Sequence, residues 1–178
     1  MRKNPNSEIR NPKFKLTVAY DGTNYQGWQL QKVGVGVQEK LEAALAKIFP
    51  SRPRVHGSSR TDTGVHALGM VAHIEVPPTE CKLPARKLAL ALNAWLPEDI
   101  RVLSAARAPK NFHARFDAAS KQYRYFIWNH PAMNPSLLAV NCTPRVCGLV
   151  SFASTEPAGV PPCQMLHGHG QAVVKLHE

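Results

Sequence analysis

The sequence predicts one α+β domain in which two helices pack on one face of an antiparallel sheet. Two observations support this: apolar residues alternate with polar ones in several short stretches, and two stretches of helical period lie between them. A chain of 178 residues with 44% hydrophobic residues can bury one core, but not two large ones.

The first strand is predicted over residues 14–20 and ends at an Asp-Gly-Thr-Asn turn. Its alternate positions are apolar: Phe14, Leu16, Val18 and Tyr20. The first helix is predicted over residues 37–49, because its apolar positions recur at the three- and four-residue intervals of one helix face. Pro50 is expected to end it.

A short strand is predicted at residues 54–56 and a long one at residues 68–76. The long strand has apolar residues at alternate positions: Leu68, Met70, Ala72, Ile74 and Val76. Pro84 can begin a second helix. Its predicted apolar stripe consists of Leu88, Ala91, Leu92 and Trp95.

Two further strands are predicted at residues 100–106 and 123–128. The order strand, helix, strand, strand, helix, strand, with one extra strand, is the split βαβ pattern of ferredoxin-like folds. The sheet face opposite the helices is predicted to be open. Open faces that carry basic and aromatic residues commonly bind RNA.

Positive charge is concentrated in the first part of the chain. The sequence has 22 Lys and Arg against 12 Asp and Glu, a net charge of +10. Beyond residue 135 the charged residues balance, so the whole excess belongs to residues 1–135. This predicts a nucleic-acid partner, with a basic surface kept for solubility as the alternative.

The composition changes near residue 136. The last 43 residues hold three of the four cysteines and many Pro, Gly and Ser, with no sustained period of two or 3.6. We therefore predict a disordered basic N-terminus over residues 1–12, a folded domain over residues 13–135, and an atypical tail over residues 136–178. The tail is expected to be poorly ordered or truncated.

No apolar stretch reaches the roughly 20 residues of a membrane helix, and the basic N-terminus lacks the apolar region of a secretory signal. We therefore expect no membrane association, a cytoplasmic location and reduced cysteines. The tail contains five potential zinc ligands: Cys142, Cys147, Cys163, His167 and His169. Their spacings are not those of paired Cys-x-x-Cys motifs, so no metal site is predicted.

Residues 57–67 (Gly-Ser-Ser-Arg-Thr-Asp-Thr-Gly-Val-His-Ala) form the candidate functional loop. Small residues around Arg60 and Asp62 let the backbone turn tightly and approach a ligand. The two side chains can form an ion pair or address one ligand together. An arginine beside a carboxylate favours its charged form, which makes Asp62 a candidate nucleophile or base. For Arg-Thr-Asp alone, a solvated surface ion pair is the better explanation.

The longer string closely resembles the catalytic loop of the tRNA pseudouridine synthase A family, usually Gly-Arg-Thr-Asp-Ala-Gly-Val-His. Ser59 stands where that Gly is common, and Thr63 stands where Ala is common. The resemblance also includes a Tyr-Asp-Gly turn followed by Gly-Trp, a Phe-His-Ala-Arg segment and a Tyr-Arg-Tyr strand. These motifs occur in the family's order, and the resemblance covers about residues 13–135.

This resemblance implies a pseudouridine synthase type of fold, with residues 13–135 as the N-terminal catalytic domain. It also implies isomerisation of uridine to pseudouridine in the anticodon stem-loop of tRNA, without a cofactor. Asp62 would be the catalytic carboxylate, and Arg60 would orient it or fill the gap left by the flipped base. Tyr123 would stack on the uracil, unless it is a core strand residue. Arg115 would contact phosphate, unless it forms a surface ion pair.

The family's chemistry needs no histidine, so His66 and His113 are interpreted as structural or RNA-contacting. Asp21 is expected to shape its turn or to position RNA. Family members are longer, act as homodimers, and bind their substrate between this domain and a second, related one. We therefore expect residues 136–178 to be a truncated or out-of-frame continuation, so the resemblance predicts the family of this chain but not whether the chain is active. A non-catalytic RNA-binding module is the alternative function.

Overall fold

The computed structural model describes residues 11–128, 142–143, 146–154 and 171–177. In chain order its elements are β1 (Lys13–Tyr20), α1 (Val37–Ile48), β2 (His56–Gly57), β3 (His66–Glu75), α2 (Ala85–Asn93), β4 (Ile100–Ala108), β5 (Ser120–Trp128), β6 (Cys142–Thr143), β7 (Val146–Ser154) and β8 (Gln171–His177).

The first four strands form the antiparallel arrangement β4-β1-β3-β2, in which α1 and α2 are the connections. This confirms the predicted α+β fold of ferredoxin-like type. The sheet then continues beyond β3 through β7, β5 and β8. Among the described strands, only β3 and β7 pair in parallel.

The core lies between the sheet and the two helices. The predicted alternate residues of β1 are all buried, and their partners on α1 and α2 include Leu41, Leu45, Leu88 and Leu92. Each of these leucines stabilises the fold by about 1.5–3 kcal/mol through loss of its water-exposed surface. Neither helix in this part of the chain has the length and apolar character needed to span a bilayer.

The long strand differs from its predicted alternation at one point. Leu68 was expected in the core but is 51% exposed, whereas Ala67 is buried. The register with β1 moves from Val18–Met70 to Tyr20–Ala67, so β3 holds one extra residue there. This β-bulge reverses the direction of the side chains before it, and the prediction for Leu68 is wrong.

The second helix also ends earlier than its apolar stripe suggested. Asn93 is its last residue, and the side chain of Asn93 exchanges two hydrogen bonds with the backbone of Val102 on β4. The chain therefore turns before Trp95, which is 60% exposed, and Leu96 takes the buried position instead. The ammonium of Lys47 lies 5.8 Å from the centroid of the Trp95 ring.

The sheet face opposite the helices is partly covered. Val71 and His73 of β3 point to this face, and both are buried. Residues 109–117 cross it and pack Phe112 and Ala114 against Val71. The ammonium of Lys13 donates a hydrogen bond to the carbonyl of Phe112 over 2.9 Å. The predicted open face is thus closed at the end of β3 where β2 pairs.

Of the predicted disordered N-terminus, residues 1–10 lie outside the described residues. The carbonyl of Pro12 accepts a hydrogen bond from the backbone of Val76. Strands β6, β7 and β8 fall within residues 136–178, where the sequence has no sustained alternation. The proposed domain boundary at residue 135 stays a prediction.

Candidate active site

The candidate loop joins β2 to β3, and its centre is fixed by β1. The hydroxyl of Tyr20 lies 2.8 Å from Oγ1 of Thr61, and both side chains are buried. Burial raises the pKa of Tyr20, so its hydroxyl keeps its proton for this hydrogen bond. The carbonyl of Thr61 accepts a second bond from the backbone N–H of Trp28 over 3.0 Å. The residue before Asp62 is therefore held from two sides.

A glycine lets the Gly-Trp segment approach this loop. Gly27 has a φ of +87°, in the left-handed region, and a Cβ there would overlap the carbonyl oxygen of Thr61. In the Gly-Trp motif, Gly27 leaves space for the carbonyl of Thr61, and the backbone N–H of Trp28 donates the hydrogen bond to that carbonyl. Gly64 has a φ of +78° and its N–H donates to the carbonyl of Tyr25.

Asp62 itself is exposed, at the turn where its carbonyl accepts a hydrogen bond from the backbone N–H of Val65. Within the described part of the chain, no ion pair joins Asp62 to Arg60. The internal ion pair that the spacing allowed is therefore not formed in this structure.

An open groove of about 720 Å³ lies beside the loop. Its lining includes three of the four predicted site residues: Arg60, Arg115 and Tyr123. Asp62 is not part of this lining, although it follows Arg60 by two positions. The loop, the Phe-His-Ala-Arg segment and the Tyr-Arg-Tyr strand thus each contribute a residue to this groove. The role of each residue stays a prediction.

The sheet explains how Tyr123 comes near the loop. Ala67 at the start of β3 pairs with Ser151 of β7, and Ser151 pairs in turn with Tyr123 of β5. Two strand spacings correspond to roughly 10 Å between the backbones of Ala67 and Tyr123. Strand β7 therefore lies between the two parts of the sequence that carry the predicted site.

The groove also contains residues that the sequence reasoning did not assign to it. They include His56, Phe116, Lys121 and Trp28. Phe116 and Lys121 could have been found from their positions beside the Phe-His-Ala-Arg and Tyr-Arg-Tyr motifs. His56 precedes the loop on β2, and its sequence context gave no comparable signal.

Two serine hydroxyls of the loop line the groove as well. Oγ of Ser58 and Oγ of Ser59 are buried, and among the described residues neither has a hydrogen-bond partner. Ser59 occupies the position where glycine is common in the resembling loops. Both hydroxyls can donate or accept a hydrogen bond if a bound ligand reaches them.

Three imidazoles meet at the wall of the groove. The ring of His73 stacks on that of His56 with a centroid separation of 4.9 Å, and the centroid of the His113 ring lies 4.7 Å from that of His73 and 6.2 Å from that of His56. Nδ1 of His73 accepts a hydrogen bond from the backbone of Ala114 over 3.1 Å. Burial and the neighbouring imidazoles lower the pKa of His73 to about 4, so the ring is neutral near pH 7.

His66 and Asp21 support the loop from the other side. Nδ1 of His66 lies 3.0 Å from Oδ1 of Asp21, which also accepts a hydrogen bond from the backbone N–H of Thr23. Burial raises the pKa of Asp21, but the Thr23 hydrogen bonds and His66 outweigh this and lower it overall. These contacts join the turn after β1 to the start of β3.

In the described ranges, no cluster of three or more His, Cys, Asp or Glu side chains is arranged to hold a metal ion. Of the potential zinc ligands in the tail, Cys142 on β6 and Cys147 on β7 occupy opposite positions in the antiparallel pairing of these two strands. The remaining three, Cys163, His167 and His169, lie outside the residues that the structure describes.

The family model for tRNA pseudouridine synthase matches residues 16–117, which is more than half of the chain. This chain belongs to the tRNA pseudouridine synthase family. The match begins within β1, contains both helices, the Arg60–Asp62 loop and Arg115, and ends just before β5.

Curated relatives point to the same family. A tRNA pseudouridine synthase A of Ruminiclostridium cellulolyticum is 44% identical over 133 residues, which are 75% of this chain and 53% of the relative. Those of Akkermansia muciniphila and Solidesulfovibrio magneticus are 49% and 50% identical over 69% and 67% of this chain, and 46% and 43% of the relatives. The chain thus spans about half the length of the curated relatives that it matches.

Proposed function

We propose that this chain carries the catalytic loop of an enzyme that isomerises uridine to pseudouridine in tRNA. In this reaction the N-glycosidic bond breaks, the uracil turns while bound, and a carbon–carbon bond to the ribose forms. Substrate and product have the same atoms, so no co-substrate is required. The protein must position a carboxylate, hold a flipped nucleotide and shield it from water.

The single observation that carries this proposal is the convergence of Arg60, Arg115 and Tyr123 on one groove beside Asp62. Two guanidinium groups suit the phosphates of a polynucleotide, and an aromatic ring suits the face of a nucleobase. The described lining residues also include Lys121 but no Asp or Glu. Such a groove attracts an anionic, aromatic ligand.

The role of Asp62 follows from its surroundings. Hydrogen bonds to Thr61 fix the backbone immediately before Asp62, while the carboxylate itself is exposed to an incoming ligand. A carboxylate in this position can act as a nucleophile toward the base or the sugar, or accept a proton from the sugar. A fixed backbone limits the entropy lost when the substrate is positioned.

We further propose the anticodon stem-loop as the modified region, a homodimer as the functional unit and the cytoplasm as its location. The resemblance of the loop and strand motifs supports all three. An unpaired loop also favours the anticodon arm physically, because flipping a base that is not paired costs less than breaking a base pair. Sedimentation of the purified chain would test for the homodimer.

The decisive experiment measures pseudouridine in tRNA after incubation with the chain. Asp62→Asn and Asp62→Ala are compared with the original sequence, and Glu98→Gln serves as the control. Glu98 is also exposed, and it is not a lining residue of the groove. We expect both Asp62 variants to lose at least ~10³-fold in product formation, and Glu98→Gln to keep its activity.

Equal product from the original chain and Asp62→Asn would contradict the proposed role of Asp62. The second candidate function, RNA binding without turnover, is favoured by one observation: Asp62 is not a lining residue of the groove that contains Arg60, Arg115 and Tyr123. It predicts no product from any of these proteins, together with tRNA binding that is equal for all of them. A filter-binding assay beside the product assay distinguishes the two functions.

A further inference from the structure

Among the Phe, Tyr and Trp side chains that line the groove, one is far more exposed than the other two. The ring of Phe116 is 76% exposed, although a phenylalanine is among the side chains most often buried. It lines the groove together with Arg115, which precedes it in sequence, and Lys121. A single exposed apolar side chain is ordinary, so its meaning depends on how it is held.

Phe116 stands at the end of a column of rings. Its centroid lies 4.3 Å from that of His113, at an interplanar angle of 31°. The next ring is His73, whose centroid is 4.7 Å from that of His113 at an interplanar angle of 63°, so these two rings meet edge to face and are not stacked. His73 belongs to β3 and is only 1% exposed, so the column begins in the sheet. One face of Phe116 is therefore supported, and its exposure leaves the rest of the ring accessible.

The backbone of this segment is fixed as well. The N–H of Ala114 donates to His73, and the N–H of Arg115 donates to Nδ1 of His113. The carboxylate of Asp117 accepts a hydrogen bond of 2.7 Å from the N–H of His113, and the N–H of Asp117 returns one to the His113 carbonyl. A ring on such a support loses little entropy when a ligand stacks on it.

We propose that Phe116 is a stacking site for an unpaired nucleobase of the RNA, separate from the uracil assigned to Tyr123. The flanking phosphates of that nucleotide would meet Arg115 and Lys121. This inference rests on the proposed function, because it assumes that the groove binds RNA. The ligand class is a single-stranded nucleotide of any sequence, since every base has a face on which an aromatic ring can stack.

The charge of the groove favours RNA over a protein partner for this ring. The described lining combines aromatic rings with cationic side chains, and it has no carboxylate that would repel phosphate. An apolar protein surface would instead leave Arg60, Arg115 and Lys121 desolvated without partners, which is costly. The combination of stacking surfaces and positive charge is typical of sites for single-stranded nucleic acid.

The test uses the full 178-residue chain and a set of stem-loop RNAs that carry 2-aminopurine at each unpaired position in turn. Fluorescence of 2-aminopurine falls when its ring stacks. Phe116→Ala removes the proposed stacking surface, and Phe116→Trp keeps one. Leu103→Ala is the matched control, because Leu103 is also an exposed apolar residue and is not a lining residue of the groove.

We expect Phe116→Ala to bind the RNA about 10-fold more weakly, as stacking surfaces do on truncation. At one labelled position it should also lose the quenching that the original chain and Phe116→Trp produce. The dependence of affinity on salt should not change, because no charge is removed. Leu103→Ala should bind and quench like the original chain.

Two outcomes overturn the stacking site while the proposed function stands. In the first, Phe116→Ala binds and quenches unchanged, although Arg115→Gln weakens binding. In the second, Phe116→Ala changes only the sedimentation of the chain, which would make Phe116 a contact between copies. If the original chain binds none of the RNAs, the stacking site and the proposed RNA groove fail together.

Discussion

The hydroxyl oxygen of Tyr20 and Oγ1 of Thr61 lie 2.8 Å apart, so the last residue of β1 holds the residue that precedes Asp62. The contact spans 41 positions of sequence and is buried. The candidate catalytic loop is therefore attached to the sheet through a side chain of the core. Changes in the core and changes in the loop should influence each other.

The first prediction concerns this hydrogen bond. Tyr20→Phe keeps the buried ring but leaves the Thr61 hydroxyl without its partner, which should lower the free energy of unfolding by about 1–2 kcal/mol. Urea denaturation measures the change. Thr61→Val and the double variant complete a mutant cycle, and the double variant should lose less than the sum of the single losses. Simple additivity would mean that the hydroxyls do not interact.

The second prediction compares two glycines of left-handed conformation. Gly64→Ala should cost roughly 1 kcal/mol, because only backbone strain opposes the new Cβ and nothing lies within 4 Å of it. Gly27→Ala should cost about 3 kcal/mol or more, since its Cβ would also overlap the carbonyl of Thr61. Denaturation by urea tests both. Equal losses would show that the Gly-Trp segment can move away from the loop.

The third prediction concerns pH. Burial, together with His56, His113 and Lys13, lowers the pKa of His73 from 6.5 to about 4, against the opposing effect of Glu75. Between these two pH values the unfolded chain binds a proton that the folded chain does not. The free energy of unfolding should therefore be highest above pH 6.5 and fall by up to about 3 kcal/mol toward pH 4.

Urea titrations at several pH values measure this dependence, and His73→Asn provides the comparison. The Asn side chain can offer an acceptor to the N–H of Ala114 but has no titratable group. This variant should lose a large part of the slope between pH 6.5 and pH 4. An unchanged slope would assign the dependence to other groups. His113, whose pKa burial also lowers, would be examined next.

The fourth prediction separates phosphate contacts from general basicity, given that the groove binds RNA. Arg115→Gln should weaken tRNA binding and reduce the slope of log affinity against log salt by about 1. Arg86→Gln removes the same charge from α2, on a residue that does not line the groove. It should change the slope less. Equal effects of both variants would favour a diffuse basic surface over a defined contact.

Much of the fold could be predicted because its signals are local. The alternation in β1 and the stripe in α1 depend only on which residues face the core, and each is reproduced to within a residue or so at its ends. The bulge beside Leu68 and the turn before Trp95 escaped prediction, because they depend on contacts with β1 and β4. No local pattern reports such partners.

The candidate site likewise has residues that the sequence predicts and residues that it does not. Arg60 and Asp62 could be found because their loop has a distinctive composition and a strong resemblance. The column from His73 to Phe116 could not, since it joins β3 to a segment some 40 residues later. No sequence pattern links His73, His113 and Phe116, because only the fold brings their rings together.

The hydrogen bond from Ala114 to His73 has a consequence for the motion of the groove wall. The amide hydrogen of Ala114 is enclosed beneath a buried imidazole, so it can exchange with solvent only when this wall separates from β3. Its exchange rate thus reports how often the wall opens. If that rate is as slow as those of β3, the wall shares the lifetime of the sheet, and a ligand of the groove must adapt to the protein.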